Sequence, residues 1–136
     1  MLPLNDIPQV ALDCLNKDHH DVANIVKQLD AHLNDATIPS NNISEIVKQL
    51  VEHLENHFAC EEYQMEKYHF PALPLHRSEH LRVMDEIKQV QADWLAANNN
   101  EALQDYLASV FCPWLVEHIT TFDTQTARYI VDSGGS

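Results

Sequence analysis

Apolar side chains recur along this chain in alternating steps of three and four, the spacing of helices that bury one face. Leu12, Leu15, His19, Val22, Val26, Leu29 and Leu33 form the first stripe, and the turn chemistry of Thr37-Ile38-Pro39-Ser40-Asn41-Asn42 predicts that the helix ends near Asp35. A second stripe comprises Ile43, Val47, Leu50, Leu54, His57, Glu61, Met65 and Tyr68. Asn42, with Glu45 three residues on, reads as its start, and Phe70-Pro71 as its stop. The third stripe is His76, His80, Val83, Ile87, Val90 and Trp94, with Pro74 suited to the first turn and Asn98-Asn99-Asn100 at the end. A fourth helix is predicted from about Glu101 to about Ile130, with Leu103, Leu107, Val110, Trp114 and His118 inward. Pro113 must disturb it, because proline removes an intrahelical bond and crowds the carbonyl of Ser109. Short connections between four such helices predict an all-α fold, an up-down-up-down four-helix bundle. Residues 1–10, with two prolines and little periodicity, read as an N-terminal arm laid over the bundle, and residues 131–136 as a flexible tail.

Composition narrows the setting. A chain of 136 residues is long enough for one core and too short for two, so residues 1–136 are expected to form a single domain. Glycine occurs only at Gly134 and Gly135, which argues against a turn-rich β fold. The formal charge of −13 excludes nucleic acid as a partner, since nothing here neutralises a phosphate backbone. No apolar run approaches the roughly 20 residues that cross a bilayer, and the first residues lack a basic and apolar leader, so neither a membrane partner nor export is expected. Cys14, Cys60 and Cys112 are an odd set without a CxxC pair; they point to a reducing, cytoplasmic setting rather than a disulfide framework.

The stripes carry chemistry as well as apolar residues. His57 and Glu61, and likewise His76 and His80, are four apart, so each pair projects from one face of a helix. Glu61 at a core position needs a partner, because burying a lone carboxylate costs several kcal/mol unless it is paired or bound to metal. His19, His118 and Asp123 complete five imidazoles and two carboxylates compatible with one layer of the bundle. Such donors without a thiolate favour iron or manganese over structural zinc. Seven donors exceed what one ion takes, which points to two ions sharing carboxylates. No Glu-x-x-His pair of the ordinary di-iron carboxylate bundle is placed to serve. His118 and Asp123 are five apart, about 140° around an ideal α-helix, so a π-type irregularity between them is predicted. His20, His32, His53 and His69 lie off the stripes or in joints and are read as ordinary surface or joint residues.

Four segments together resemble the hemerythrins, in particular the single-domain bacterial ones: Leu15-Asn16-Lys17-Asp18-His19; His57-Phe58-x-x-Glu61-Glu62 with Met65 and Phe70-Pro71; His76-x-x-x-His80; and Trp114-Leu115-x-x-His118-Ile119-x-x-x-Asp123. The resemblance covers residues 15–123 and selects His19 over His20. It implies a non-haem di-iron centre, two iron ions in the Fe2+/Fe3+ states with an oxo or hydroxo bridge, that binds O2 reversibly. By the same likeness Glu61 and Asp123 bridge the irons, His76, His80 and His118 hold one iron, and His19 and His57 hold the other, which keeps an open position. An apolar pocket over that position is required, with Val22, Phe58, Trp114, Leu115 and Ile119 as its candidates. Val22 stands where the family often has leucine, which would admit solvent or exogenous ligands more easily. The family's N-terminal tryptophan and Val-Gly stretch are missing from the arm. The expected role is O2 binding for storage, delivery or sensing rather than catalysis, sensing requiring a signalling or redox partner protein. The competing roles are a di-iron redox enzyme acting on peroxide or nitric oxide, iron storage, and a metal-free helical interaction protein.

Overall fold

The computed structural model describes Leu4 and residues 7–135. The architecture is the expected all-α bundle. Helix α1 spans Asp13–Leu33, α2 Ser40–Lys67 and α3 Leu73–Ala97. The fourth rod, α4, consists of five segments without a break: α-helical Asn100–Tyr106, a π turn at Leu107–Phe111, α-helical Cys112–His118, a second π turn at Ile119–Asp123, and α-helical Thr124–Asp132. Consecutive helices are antiparallel, since Asp18 early in α1 meets His57 late in α2, and Glu62 late in α2 meets His80 early in α3.

The stripes are buried nearly as expected, with Leu15, Val22, Val26, Leu29 and Leu33 of α1 facing Ile43, Val47, Leu50 and Leu54 of α2. Tyr68 and Val90 are only half-buried. Two details of the predicted ends change. Helix α2 begins at Ser40 behind Pro39, so Asn42 lies inside the first turn and caps nothing. Phe70 and Pro71 do follow its end: His69 adopts a left-handed backbone at φ 56°, and the Phe70 amide reaches back to the Met65 carbonyl at 2.8 Å, closing the helix before the proline. The α3 end is set by Asn98, also left-handed at φ 49°.

Val110 is the one predicted core position of α4 that the structure turns outward; it is 44% exposed, and Phe111, at 1%, takes its place. The first π turn is the cause. The Cys112 amide donates to the Leu107 carbonyl five residues back, so one extra residue enters the turn before Pro113 and the phase of the buried face moves on by one. The second π turn is the one predicted from the His118–Asp123 spacing. Its sequence supports it: the hydroxyls of Thr120, Thr121 and Thr124 donate to the carbonyls of Val116, Glu117 and Ile119 at 2.7, 2.8 and 2.7 Å, covering acceptors that the bulge loosens.

The arm packs as expected where it is described, with Leu4 buried and Ile7 and Val10 against the core. Val10 and Asn16 exchange two hydrogen bonds that tie it to α1. At the other end the helix runs to Asp132, two residues into the segment expected as a tail, and Gly134 at φ 101° lets the Gly135 amide return to the Ile130 carbonyl at 2.8 Å. Ser136 and residues 1–3, 5 and 6 of the arm lie outside the described residues. Among the described residues no helix is long and apolar enough to cross a membrane. Two apolar clusters fill the bundle: a large one around Val26, Leu50, Ile87 and Leu107, and a small one of Leu12, Leu15, Ala127 and Ile130.

Candidate metal centre

The helices bring seven polar side chains together in the core. Helix α1 supplies His19, α2 His57 and Glu61, α3 His76 and His80, and α4 His118 and Asp123; each is almost completely buried. Four-residue spacing places the α2 and α3 pairs on one face of their helices, and the π turn rotates Asp123 back to the side of His118. The donor atoms fall into two groups, in each of which all lie within 4.8 Å of one another: Glu61, His76, His80, His118 and Asp123 in one, His19, His57, Glu61 and Asp123 in the other. The carboxylates belong to both. Three imidazoles therefore gather on one side of the carboxylate pair and two on the other.

The imidazoles share an orientation. Their Nε2 atoms point to the carboxylates, with His19 at 2.8 Å from Asp123 Oδ2, His76 at 2.7 Å from Glu61 Oε1, and His118 at 3.1 Å from Asp123 Oδ1. On the far side of the rings, Nδ1 of His57 bonds Asp18 at 2.8 Å, that of His80 bonds Glu62 at 2.9 Å, and that of His76 bonds the Thr126 hydroxyl at 2.9 Å. Arg77 in turn donates to Glu62 at 3.0 Å. Fixing Nδ1 as the protonated atom leaves Nε2 free as a donor to metal.

Sequence reasoning did not assign these outer partners. Each leaves a trace in the chain: Asp18 and Glu62 adjoin His19 and Glu61, and Thr126 follows Asp123 by three. Phe122 was missed as well; it stacks on His118 at 5.2 Å and 18° and packs on His76. Of the apolar candidates, Val22, Phe58, Leu115 and Ile119 are buried in the large core cluster, and Trp114 is half-buried against it. Phe58 stacks on His80 at 3.9 Å and 5° and also touches His57, while Trp114 stacks on His118 at 4.6 Å and 24° and donates its indole N–H to Glu79 at 2.8 Å. His20 and His69 are exposed, and His32 and His53 half-buried.

Electrostatics and bonding say what the cluster lacks. Burial and the charge of Asp123 push the Glu61 carboxyl up, but the His76 and His80 imidazoles and the charge of His57 outweigh them and hold it below the ordinary carboxylate range. Asp123 is pushed up by burial and pulled well down by His118, His19 and His76. Burial pulls His76 down, yet the two carboxylates raise it to about 9. Two anions are thus buried among imidazoles, but the bonding is incomplete: His76 and His80 Nε2 lie 2.7 and 3.3 Å from Glu61 Oε1 and His118 Nε2 3.1 Å from Asp123 Oδ1, yet both Glu61 oxygens, Asp123 Oδ1 and His80 Nε2 lack a well-directed hydrogen bond, as do the outer Nδ1 atoms of His19 and His118. Each such atom costs about 1–3 kcal/mol unless something satisfies it. Inward lone pairs on imidazole and carboxylate, with protons needed only to hold them apart, fit divalent or trivalent metal.

The model of the hemerythrin HHE cation binding domain matches residues 10–128, nearly the whole described chain. The chain belongs to the hemerythrin family. It is similar to the bacteriohemerythrin of Aquifex aeolicus, 33% identical over 88 residues that make up 65% of this chain and 67% of that protein. It is also similar to the bacteriohemerythrin of Stenotrophomonas maltophilia, 25% identical over 130 residues, 96% of this chain and 82% of the relative, and to that of Ralstonia nicotianae, 31% identical over 84 residues, 62% and 60%. Family and buried donor cluster together mark a metal centre in this hemerythrin.

Proposed function

We propose that this hemerythrin binds O2 reversibly at a centre of two iron ions held by His19, His57, Glu61, His76, His80, His118 and Asp123. The observation that carries the reading is the unequal sharing of donors: two carboxylates common to both groups, three imidazoles in one and two in the other. An ion in the two-histidine group has one protein donor fewer, which leaves room for a small ligand. The chemistry such a pair supplies when bound is reversible two-electron exchange with O2 at that open position.

The chain's own residues do the rest. Glu61 and Asp123 supply two shared negative charges in a dry site, where opposing charges act strongly. Asp18, Thr126 and Glu62 fix His57, His76 and His80 by their Nδ1 bonds, so the imidazoles are oriented before metal arrives. Val22, Phe58, Leu115 and Ile119 are the buried apolar candidates for keeping water from the ligand, Phe58 through its contact with His57, while Trp114 covers the His118 ring of the three-histidine group. O2, small and apolar, needs no hydrogen-bonding group from such side chains.

The test is spectroscopic. Protein loaded with ferrous iron without air, then exposed to O2, should gain a visible absorption band that disappears when O2 is removed and returns on re-exposure, with two irons per chain. Conversion on each exposure to a stable ferric form that does not revert would overturn reversible binding and favour redox turnover of peroxide or nitric oxide. Iron well above two per chain would favour storage instead.

A further inference from the structure

The seam between α1 and α2 is an antiparallel row of facing side chains beside the centre. Donor atoms of Asp18, Asp21 and His53 lie within 4.8 Å of one another, and Asp18 bonds His57 one turn further along α2. Residues 53, 57, 60 and 64 follow one another on α2 at steps of four and three, and residues 14, 18 and 21 do the same on α1, so each set lies on one helix face. Continuing the row past Asp18 and His57 brings Cys14 level with Cys60. Both cysteines line one cavity of about 280 Å³, between the apolar Leu12, Leu15 and Ile130 and the polar Lys17, Asp18, Glu61 and Gln64. Both are exposed. Cys14 is the second residue of α1, an exposed position between the buried Leu12 and Leu15. Cys112 differs from both: it is fully buried in the large core cluster.

We infer that Cys14 and Cys60 are a redox-responsive thiol pair, closed to a disulfide by peroxide, that staples α1 to α2 beside the metal centre. One thiolate attacks a peroxide oxygen and breaks the O–O bond, becoming a sulfenic acid as the other oxygen leaves as water. The second thiolate attacks that sulfur, the S–S bond forms, and the hydroxyl departs as a second water. Peroxide takes two electrons from the two sulfurs, and the two thiol protons end in the water. The link needs the two Cα atoms within about 7 Å, a separation that facing positions on packed helices can reach. Its consequence rests on the metal-centre reading above: His19 stands on α1 and His57 and Glu61 on α2, so a staple between these helices resists the separation through which metal leaves.

The test uses the full chain in two states. In metal-free protein, hydrogen peroxide should lower the thiols titrated after unfolding from the three of the reduced chain to one. The mass should fall by two hydrogens, and proteolysis should yield a peptide joining Cys14 to Cys60. Cys14→Ser and Cys60→Ser should each abolish the link, and Cys112→Ser should leave it. Oxygen-bearing cysteines without a link, a link through Cys112, or a crosslink only between chains would overturn the pair. This arm needs no metal, so it can fail or succeed independently of the function proposed above. In metal-loaded protein, the oxidised form should lose metal to a small chelator several-fold more slowly than the reduced form, a difference absent from Cys60→Ser and Cys14→Ser. An unchanged rate in protein shown to be linked would overturn the staple.

Discussion

Replacing Thr126 by valine removes one hydroxyl from the most enclosed part of the centre and changes almost nothing else. Thr126 and His76 are both fully buried, and the Thr126 Oγ1 to His76 Nδ1 bond is 2.9 Å long. The same hydroxyl lies 4.0 Å from the Met65 sulfur, so a chain of donation runs from the imidazole N–H to the hydroxyl and on to the thioether. Valine has the shape of threonine, so no cavity opens. What remains is an imidazole N–H buried without an acceptor, a loss of about 1–3 kcal/mol. The upper half of that range applies to metal-free protein near neutral pH, where the carboxylates that raise His76 to about 9 keep it charged. For a domain of this size the loss corresponds to a melting temperature lower by roughly 3–15 °C. In loaded protein the ring is no longer held in register, and metal affinity should fall by about 10–100-fold, the usual effect of losing such an outer partner. Thermal melts of the metal-free protein and competition with a chelator read the two effects separately. Thr126→Ser keeps the hydroxyl and should keep most of both. Valine and wild type melting together and holding metal equally would refute the role assigned to the bond, as would serine losing as much as valine.

Other expectations follow from the geometry. Phe111→Ala should cost about 3–5 kcal/mol in denaturant unfolding while Val110→Ala stays within about 0.5, the reverse of what regular α-helical phase in α4 requires. Glu61→Gln should lower bound metal in both groups at once, because both share that carboxylate, whereas His20→Asn, on the exposed side of α1, should leave the metal content unchanged by elemental analysis. Burial, helped by Asp30, pushes the Cys112 thiol up to about 12, so folding retains a proton that the unfolded chain releases near pH 9. Stability should thus decline as pH rises from about 9 toward 12, and Cys112 should resist alkylation at neutral pH while Cys14 and Cys60 react; equal labelling of all three in folded protein would refute this.

Regular spacing made most of the bundle legible. The stripes of α1, α2 and α3 repeat at helical steps, and all of their residues except the half-buried Tyr68 and Val90 are buried, His19, His57, Glu61, His76 and His80 included. Along α4 legibility depended on whether an irregularity had chemistry at both ends. His118 and Asp123 both had to face the core, so their five-residue spacing demanded a π turn and its position could be inferred. Pro113 also announces a disturbance, but nothing upstream fixes where the extra residue enters, and regular spacing points to Val110 where the structure buries Phe111. The outer partners escaped for a different reason. Asp18, Glu62 and Thr126 are polar residues of ordinary type, and whether each turns toward an imidazole depends on the neighbouring helix rather than on its own spacing.

The position of the polar layer explains why bundle and metal depend on each other unequally. On one side lies the large apolar cluster, with residues from all four helices and the arm; on the other, among the described residues, lies the smaller cluster of Leu12, Leu15, Ala127 and Ile130, with Val10 and Tyr68 packed against it and Met65 buried beside Thr126. The large cluster has enough buried side chains to align the helices without help. The small one joins the start of α1 to the last segment of α4, and next to it stand His19 and Asp123, which those same elements carry. Without metal, this end is held by a few apolar contacts and by carboxylates that imidazole protons only partly satisfy. On the reading proposed above, a metal held by these donors would take the place of the protons and link His19 and Asp123 to the side chains of α2 and α3. The free energy of such binding would then act mainly at the end of the bundle that the apolar pattern secures least.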